Sequence, residues 1–247
     1  MPARSLSRAA LLPALLLLPA AVRAETRVMP CHLPADLRLL LSFEQQGWGR
    51  DGKPWQVNLV RGMRLSRDGL GFALTIDPAR AVGKLDPAAQ RRLAAVFDPA
   101  AQQSMTVRLD ATGAVIGIDA LEDHWRAYFG RIRQVTAAMT ADGEQTQRAQ
   151  AMVASLEKAD RPTQLRLLVG DAAAPLLRLC GQSVEAETAA DGLLAVSEDQ
   201  DNEALRETTR YRVDGTSGLV RSIERRVTAK AQPDQPQLSV WRYEPQP

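Results

Sequence analysis

The sequence predicts an α+β fold in which a curved antiparallel β-sheet packs on a central pair of amphipathic helices. Three observations lead to this prediction. Apolar and polar residues alternate from Leu37 to Ile76, an apolar stripe with helical spacing runs from Leu121 to Met139, and the alternation returns near the carboxyl terminus. Alternation with a period of two is typical of half-buried strands, whereas spacings of three and four residues are typical of amphipathic helices.

The first half of the chain predicts an antiparallel meander. Its alternating segments are residues 37–43, 55–65 and 70–76. They are separated by a glycine-rich turn at residues 47–52 and by Asp68-Gly69. Short half-buried strands that are joined by such turns pair as antiparallel neighbours.

A short helix and a hairpin are expected next. Asp86-Pro87 predicts the start of the helix, because aspartate suits the N-cap and proline suits the first helical position. Strand periodicity resumes at Met105, and a turn from Asp110 to Gly113 predicts a β-hairpin.

Two helices should follow this hairpin. The stripe from Leu121 to Met139 predicts a helix of about five turns. A more polar second helix is expected over residues 144–158, and Arg161-Pro162 should close it.

The remainder of the chain predicts further strands. Leu165, Leu167 and Val169 alternate, and Asp191-Gly192 suggests a hairpin turn. The acidic stretch from Glu198 to Glu203 is interpreted as a solvated loop. Clearer strands are expected over residues 209–213, 219–228 and 238–243.

One short pattern occurs twice. Val107 to Val115 resembles Tyr211 to Val220, since both read as a strand, an Asp-to-Gly turn and a strand. One interpretation is a pair of similar β halves, residues 25–119 and 163–247, which a helical segment at 120–160 separates. The alternative is that unrelated hairpins share a common turn chemistry.

The first 24 residues predict a cleaved signal peptide. Arg4 and Arg8 lead into an apolar run of 14 residues, Ala9 to Val22, which ends at the small-x-small site Val22-Arg23-Ala24. A basic start, an apolar centre and such a site are the parts of a secretory signal. The run is shorter than the roughly 20 residues that a membrane span needs. We therefore expect residues 25–247 to form the mature protein, periplasmic or secreted, without a stable membrane span.

Charge argues against nucleic acid as a partner. Three of the 31 Lys and Arg residues lie in the predicted signal peptide, so 28 basic residues of the mature chain face 29 acidic ones. Nucleic-acid binding needs a clustered basic surface.

The two cysteines, Cys31 and Cys180, predict one disulfide bond. An even pair in an exported protein is most simply a disulfide, although two buried free thiols are an alternative. His32 adjoins Cys31, but neighbouring residues of an extended segment point to opposite faces. No metal site is therefore expected.

Catalytic and cofactor motifs are missing from the sequence. It has no P-loop, no dinucleotide-binding glycine motif, no zinc-protease motif and no EF-hand spacing. His32 and His124 are the two histidines, and His124 is interpreted as a partly exposed residue of the first helical turn. We expect no catalytic residue and no cofactor.

Four aromatic residues are candidates for ligand binding. Trp48 and Trp55 flank the glycine-rich turn, where an exposed indole could meet a ligand or a partner. Trp125 and Phe129 belong to the long helix, and a loose fit between helix and sheet would leave an apolar pocket suited to a lipid-like ligand. The alternative for each tryptophan is simple core packing.

The predicted arrangement resembles the periplasmic lipoprotein carriers, in which an incomplete β-barrel wraps around helices. The resemblance rests on the signal peptide, the meander Leu37 to Ile76 and the helix Leu121 to Met139. The chain also resembles exported β-rich proteins of uncharacterised function that end in a hairpin such as Tyr211 to Val220.

Three functional hypotheses follow. The first is a soluble, non-catalytic envelope protein that binds an apolar, lipid-like ligand or another envelope component. The second is a structural or protein-interaction module, with the Trp48 turn or the helix at residues 144–158 as its contact surface. The third is an enzyme of unrecognised type, which would need His32 or His124 beside carboxylates in a cleft.

Overall fold

A computed structural model describes residues 24–49, 52–82, 103–137, 143–169 and 173–247. The predicted signal peptide lies outside the described residues apart from Ala24, and so does the short helix expected from Asp86-Pro87. Within the described ranges, no helix combines the length and the apolar character that crossing a membrane requires.

Antiparallel strands dominate the described residues. The strands are β1 (Glu25–Val28), β2 (Asp36–Trp48), β3 (Pro54–Asp68), β4 (Gly71–Ile76), β5 (Arg80–Ala81), β6 (Met105–Leu109), β7 (Val115–Ile118), β8 (Ser183–Thr188), β9 (Leu194–Asp201), β10 (Leu205–Val213), β11 (Val220–Ala229) and β12 (Gln237–Pro245). The helices are α1 (Leu121–Ala137), α2 (Gly143–Glu157), α3 (Arg161–Val169) and α4 (Ala173–Leu176). The predicted α+β class and the predicted meander β2–β3–β4 are confirmed.

The strands form a single antiparallel sheet. Its order is β1-β8-β9-β10-β11-β12-β2-β3-β4-β6-β7, and β5 pairs with β3 outside this path. The last strand, β12, lies beside β2, with Trp241 opposite Phe43 and Tyr243 opposite Leu41. The amino-terminal and carboxyl-terminal strands are therefore continuous in one sheet.

Contacts of residues 29–33 show that the sheet curls strongly. We call this segment, which follows β1, the strap. In a flat sheet β1 and β6 would lie about 43 Å apart, nine strand spacings of about 4.8 Å. In the structure, the carbonyl oxygen of Thr112, in the β6–β7 turn, is 2.9 Å from Sγ of Cys31. Three residues beyond Val28 span at most about 11 Å, so the two ends of the sheet must approach each other as in an incomplete barrel.

The strap is bonded to two further segments of the chain. The backbone N–H of Met29 donates to the carbonyl of Gln182 at 2.8 Å, and that of Gly181 donates to Met29 at 3.1 Å. The N–H of His32 donates to the carbonyl of Ser217, in the β10–β11 turn, at 3.0 Å. These hydrogen bonds fix the strap to the turn before β8 and to the β10–β11 turn, while its contact with the β6–β7 turn of the first half is the packing of Cys31 against Thr112.

The predicted disulfide between Cys31 and Cys180 is present. The two Cα atoms are 4.8 Å apart, and the bond closes a sequence separation of 149 residues. It fastens the strap to the turn that follows α4. Because a disulfide sulfur carries no hydrogen, the approach of the Thr112 carbonyl is a packing contact and not a hydrogen bond.

The core fills the concave, inner face of the sheet. In most strands alternate residues point inward and are buried, among them Leu39, Leu41, Phe43, Leu65, Leu74, Val107, Val213, Ile223, Trp241 and Tyr243. The strap adds Met29 and Leu33 to this core. Further core residues come from α3, α4 and the turn that follows, chiefly Leu168, Val169, Leu176 and Leu179, and from the start of α1, Leu121 and Trp125.

The predicted central helix pair is not confirmed. Helix α1 has its main contacts with α2 and α3, while α4 is the helix in close contact with strand β11. Leu121 and Trp125, at the start of α1, are buried, but Met152 of α2 is largely exposed. The short helices α3 and α4 therefore supply part of the core that was expected to come from the long helices.

The expectation of a strand at residues 163–169 is wrong, because this segment is helix α3. Asp160 caps the helix, since its Oδ1 accepts the N–H of Thr163 at 3.0 Å. Pro162 then lies in the first turn, where its missing N–H costs nothing. Leu168 and Val169 are buried while Leu167 is exposed, so the leucine alternation was too short to distinguish a strand from a helix.

Two further differences concern strands. Most of the acidic stretch that was interpreted as a loop belongs to β9, which pairs with β10 along its length. Strand β1 was not predicted, since Glu25–Val28 is fully exposed on one edge of the sheet and has no apolar alternation.

The two hairpins that resemble each other in sequence also share a turn geometry. Asp110 Oδ1 accepts the N–H of Thr112 at 2.8 Å, and Asp214 Oδ1 accepts the N–H of Thr216 at 2.9 Å. Each turn ends in a glycine with positive φ, 84° at Gly113 and 77° at Gly218. Both glycines lie against the strap. A duplication of the two β halves stays a prediction.

Removal of the disulfide should destabilise the protein strongly. The chain-entropy model assigns about 5 kcal/mol to a loop of this size, and measured effects are often smaller. For Cys31→Ser/Cys180→Ser we expect the free energy of unfolding to fall by about 3–5 kcal/mol in urea titrations followed by circular dichroism. Wild-type protein in reductant should match the variant. An unchanged midpoint in both would contradict the proposed importance of the bond.

The close approach of Gly218 to the strap gives a second stability prediction. A Cβ at Gly218 would lie 1.7 Å from the carbonyl oxygen of Pro30, whereas a Cβ at Gly192, which also has positive φ, meets nothing within 4 Å. Gly192→Ala should therefore cost only the backbone strain, about 1–2 kcal/mol. Gly218→Ala should cost about 1–3 kcal/mol more, because the strap must move. Equal losses in thermal or urea unfolding would show that the strap is loosely held.

Candidate functional site

The outer, convex face of the sheet carries the grooves that the structure describes. Residues of β2 with even numbers point to this face, and those with odd numbers point to the core. One straight row of paired outer residues crosses five strands from β10 to β3, namely Thr208, Arg226, Leu238, Gln46 and Gln56. Four strand spacings make this row about 19 Å long.

A groove of about 860 Å³ lies over the β3 end of this row. We call it the tryptophan groove; its lining residues are Gln46, Gly47, Trp48, Pro54, Trp55, Gln56, Glu224, Arg226, Pro233, Asp234, Pro236 and Leu238. The loop between β11 and β12 supplies Pro233, Asp234 and Pro236. Prolines and two indoles next to amide and charged groups give the groove a mixed character.

Trp48 and Trp55 have different roles, because they point to opposite faces. Trp48 stands opposite Pro54 on the outer face and is 40 % exposed. Trp55 stands opposite Gly47, and a Cβ on that glycine would lie 2.9 Å from the Trp55 ring. The Trp55 ring is thus packed over Gly47 and against the core. Trp48 is the indole available to a ligand.

The aromatic residues of α1 lie elsewhere. Trp125 is buried, and its ring is stacked on Phe129 with centroids 6.4 Å apart. Phe129 in turn lies under the guanidinium of Arg133, 5.8 Å from the ring centre. Neither residue lines a described groove, so the four aromatic candidates do not form one site.

A second groove continues the first toward β10. We call it the arginine groove; its volume is about 570 Å³ and its lining residues are Asp201, Arg206, Thr208, Arg210, Glu224, Arg226, Thr228, Lys230 and Pro233. Glu224, Arg226 and Pro233 belong to both grooves. Four cations and two carboxylates line the arginine groove, so its formal charge is +2.

The inner face carries polar side chains on β9, β10 and β11, but these are paired with one another. The hydroxyl of Tyr211 donates to Glu198 Oε2 at 3.1 Å, and Arg178 Nη2 lies 3.5 Å from the same oxygen. Burial, with the nearby Glu198 charge, raises the pKa of Tyr211. The phenol is therefore neutral at ordinary pH and serves as a hydrogen-bond donor.

A second inner-face pair has the geometry of a fork. Arg225 donates from Nε and Nη2 to the two carboxylate oxygens of Glu207, at 2.8 and 2.7 Å. The hydrogen bonds from Arg225 lower the pKa of Glu207, and a hydrogen bond from Thr209 lowers it further. The hydrogen-bonding groups of Arg225, Glu207 and Thr209 bond to one another, which is typical of a structural role.

The histidines are not arranged for catalysis in the described residues. His124 is buried in the first turn of α1, and His32 lies in the strap with its backbone bonded to Ser217. No hydrogen bond or ion pair joins either imidazole to a carboxylate of the described chain. That part of the chain also has no cluster of three or more His, Cys, Asp or Glu that could hold a metal ion.

Comparison with known proteins assigns no family. No protein-family model matches the chain, and no curated protein has a significantly similar sequence. Function must therefore be argued from the outer-face site itself.

Sequence reasoning found Trp48 but missed the arginine groove. A usable signal was present, since Arg206, Thr208 and Arg210 alternate along β10, as Arg226 and Thr228 do along β11 with Lys230 directly after its end. Residues two apart on a strand point to the same face, so the sequence alone could have placed the three residues of each set on one face. Their juxtaposition required the register between β10 and β11, which the sequence does not provide.

The Glu207–Arg225 pair makes stability depend on pH. Because the folded state lowers the pKa of Glu207 below the ordinary value of 4.5, its contribution is present above about pH 4.5 and is lost as pH falls through the folded-state pKa. Glu207→Gln should therefore reduce the free energy of unfolding more at pH 7 than at pH 3. The exposed Glu187, changed to Gln, serves as the control and should show little effect. A Glu207→Gln effect that is equal at both pH values would contradict this assignment.

Proposed function

We propose that the protein is an exported, non-catalytic interaction protein that binds an extended segment of another envelope protein in the tryptophan groove. One observation carries this proposal. Trp48 is the one exposed aromatic side chain of the described residues, and it stands in a groove of about 860 Å³. Tryptophan at the centre of a partly apolar groove is the residue type most often found to dominate the binding energy of an interface.

The lining favours a polypeptide over a lipid. Its apolar surface comes from both tryptophans, Leu238 and three prolines, and it is interrupted by Glu224, Arg226 and Asp234. An acyl chain is better matched by a continuous apolar surface. Gln46 and Gln56 lie beside this surface and offer both donors and acceptors to a peptide backbone. Aromatic and proline-lined grooves of this kind suit extended chains.

The interior offers less support for the alternative of an apolar ligand between sheet and helices. Inner-face residues such as Leu65, Leu74, Val107 and Val213 are completely buried against their neighbours. The grooves described, including a third near Arg38 and Gln246, open on the outer face.

The disulfide supports the assignment to the cell envelope. Bonds such as Cys31–Cys180 persist in oxidising compartments and are rare in the cytosol. This agrees with the signal peptide that the first 24 residues predict. An exported protein with a large outer groove and paired interior charges is suited to binding.

Site-specific photo-crosslinking in the native host tests this function. A benzophenone amino acid at Gln46, inside the groove, should give a discrete protein adduct, whereas the same group at Leu70 should not. Leu70 is 93 % exposed at the distant β3–β4 turn and is the matched control. Mass spectrometry of the adduct identifies the partner and the crosslinked segment.

Trp48→Ala provides the quantitative check. It should weaken binding of the identified partner by about tenfold or more, since such a residue contributes about 2 kcal/mol when truncated. Thermal unfolding should change little, because Trp48 lies outside the core. Adducts with lipid only, or equal adducts from Gln46 and Leu70, would contradict the proposal.

A further inference from the structure

We propose that the arginine groove binds carboxylates, so that the segment bound by this protein is acidic next to its apolar part. This inference rests on the proposed function and specifies the chemistry of the partner. It concerns Arg206, Arg210 and Arg226, for which the sequence analysis assigned no role.

The three arginines converge on one patch. Arg226 stands directly opposite Thr208, and Arg206 and Arg210 flank Thr208 on the same strand face. Diagonal neighbours in an antiparallel pair are about 7–8 Å apart, which places Arg226 at about that distance from each of the other two. Side chains of this length can therefore approach a common ligand from three sides.

These guanidiniums differ from the neighbouring cations because they form no ion pair within 4 Å with a described residue. Asp201 stands opposite Arg206 and Glu224 opposite Arg210, but Asp201 is paired with Lys230. Ion pairs join Arg178 to Glu198, Arg212 to Asp191, Arg221 to Asp214, Arg225 to Glu207 and Lys230 to Asp201. In contrast, no carboxylate of a described residue lies within 4 Å of a side-chain nitrogen of Arg206, Arg210 or Arg226. Most cations on and beside β9, β10 and β11 are thus in ion pairs, and the three arginines that are not lie together in the arginine groove.

The arginine groove is continuous with the tryptophan groove. Arg226 and Pro233 line both, and the row from Thr208 through Leu238 to Gln56 joins them over about 19 Å. An extended peptide covers this distance with about six residues. A segment that places an apolar side chain at Trp48 would therefore present its next residues to the arginines.

Carboxylates spaced along a chain fit this patch better than one compact anion does. Arg206 and Arg210 are four residues apart on a strand, which corresponds to about 13 Å between their Cα atoms. Acidic side chains two residues apart on an extended segment are separated by about 7 Å, the same interval as the steps of the arginine array. Arginine also pairs with carboxylates through two parallel hydrogen bonds.

The test is a selection with a random dodecapeptide phage library on the oxidised mature protein. We expect enriched peptides with two or more Asp or Glu residues, two positions apart, beside an aromatic or proline residue. Synthetic copies should bind at least tenfold more weakly to Arg206→Gln/Arg210→Gln/Arg226→Gln. Their affinity should also fall with rising salt, as expected for exposed ion pairs.

A matched control separates a local site from general charge attraction. Arg38→Gln/Arg64→Gln/Arg80→Gln removes an equal number of positive charges from the third groove of the same face, where Arg64 is paired with Asp36. This control should change affinity less than threefold. An equal loss in both triple variants would overturn the inference.

Other outcomes distinguish this inference from the proposed function. Enriched peptides that need Trp48 but are neutral or basic, and that bind the arginine variant normally, would overturn the acidic preference and leave the tryptophan groove supported. A selection that yields no peptide dependent on Trp48 would overturn the proposed function itself and the inference with it. Circular dichroism and urea unfolding verify that each variant is folded.

Discussion

Closure of the curled sheet by the strap is the constraint on which the rest of the structure depends. The sheet is long, and its first and last strands would diverge without a connection across the open end. Backbone hydrogen bonds to Gln182 and Ser217 and the Cys31–Cys180 bond hold the strap to the β8 and β10–β11 side. At the other end, the disulfide packs against Thr112 and Gly113 of the β6–β7 turn. The hydrogen bonds of the strap join segments that are far apart in sequence, and closing such long loops has a large entropic cost. A covalent link is effective here because it keeps the loop closed.

Curling separates the two faces of the sheet into different environments. On the concave face, residues from opposite strands meet at short distance, so apolar side chains such as Leu65 and Val213 become completely buried. On the convex face the strands splay, and outer residues are left on open surface. The β11–β12 loop folds beside this surface and deepens it into grooves through Pro233 and Pro236. The site is thus a consequence of curvature, and the prolines maintain its wall at low entropic cost.

The parts of the fold that could be predicted are those in which burial follows a simple period. Strands β2, β3 and β4 alternate strictly because one face of each contacts the core, and the disulfide follows from an even cysteine count. Helix α3 was missed since Leu165 and Leu167 imitate a strand over too few residues. The second half of strand β9 was missed because Glu198 to Asp201 is mostly acidic, and backbone pairing with β10 rather than side-chain burial holds it in the sheet. At the site, Trp48 was recognisable by residue type, whereas the inward packing of Trp55 depends on the small size of its cross-strand neighbour Gly47.

Net charge is a poor guide to the electrostatics of such a protein. Without the predicted signal peptide the chain has 28 basic and 29 acidic residues and is nearly neutral, which argues against a generally basic surface. Many of the charges, however, are neutralised locally in ion pairs such as Arg225–Glu207. A count of charged residues therefore does not reveal which cations have no ion-pair partner. The register between β10 and β11 places Arg226 opposite a threonine and not opposite an acid, which leaves a concentrated positive patch on a balanced molecule. The three arginines form a small patch next to the exposed indole of Trp48, so they would hold an acidic segment in a fixed position and favour one partner. Charges far from the groove would attract acidic chains without positioning them.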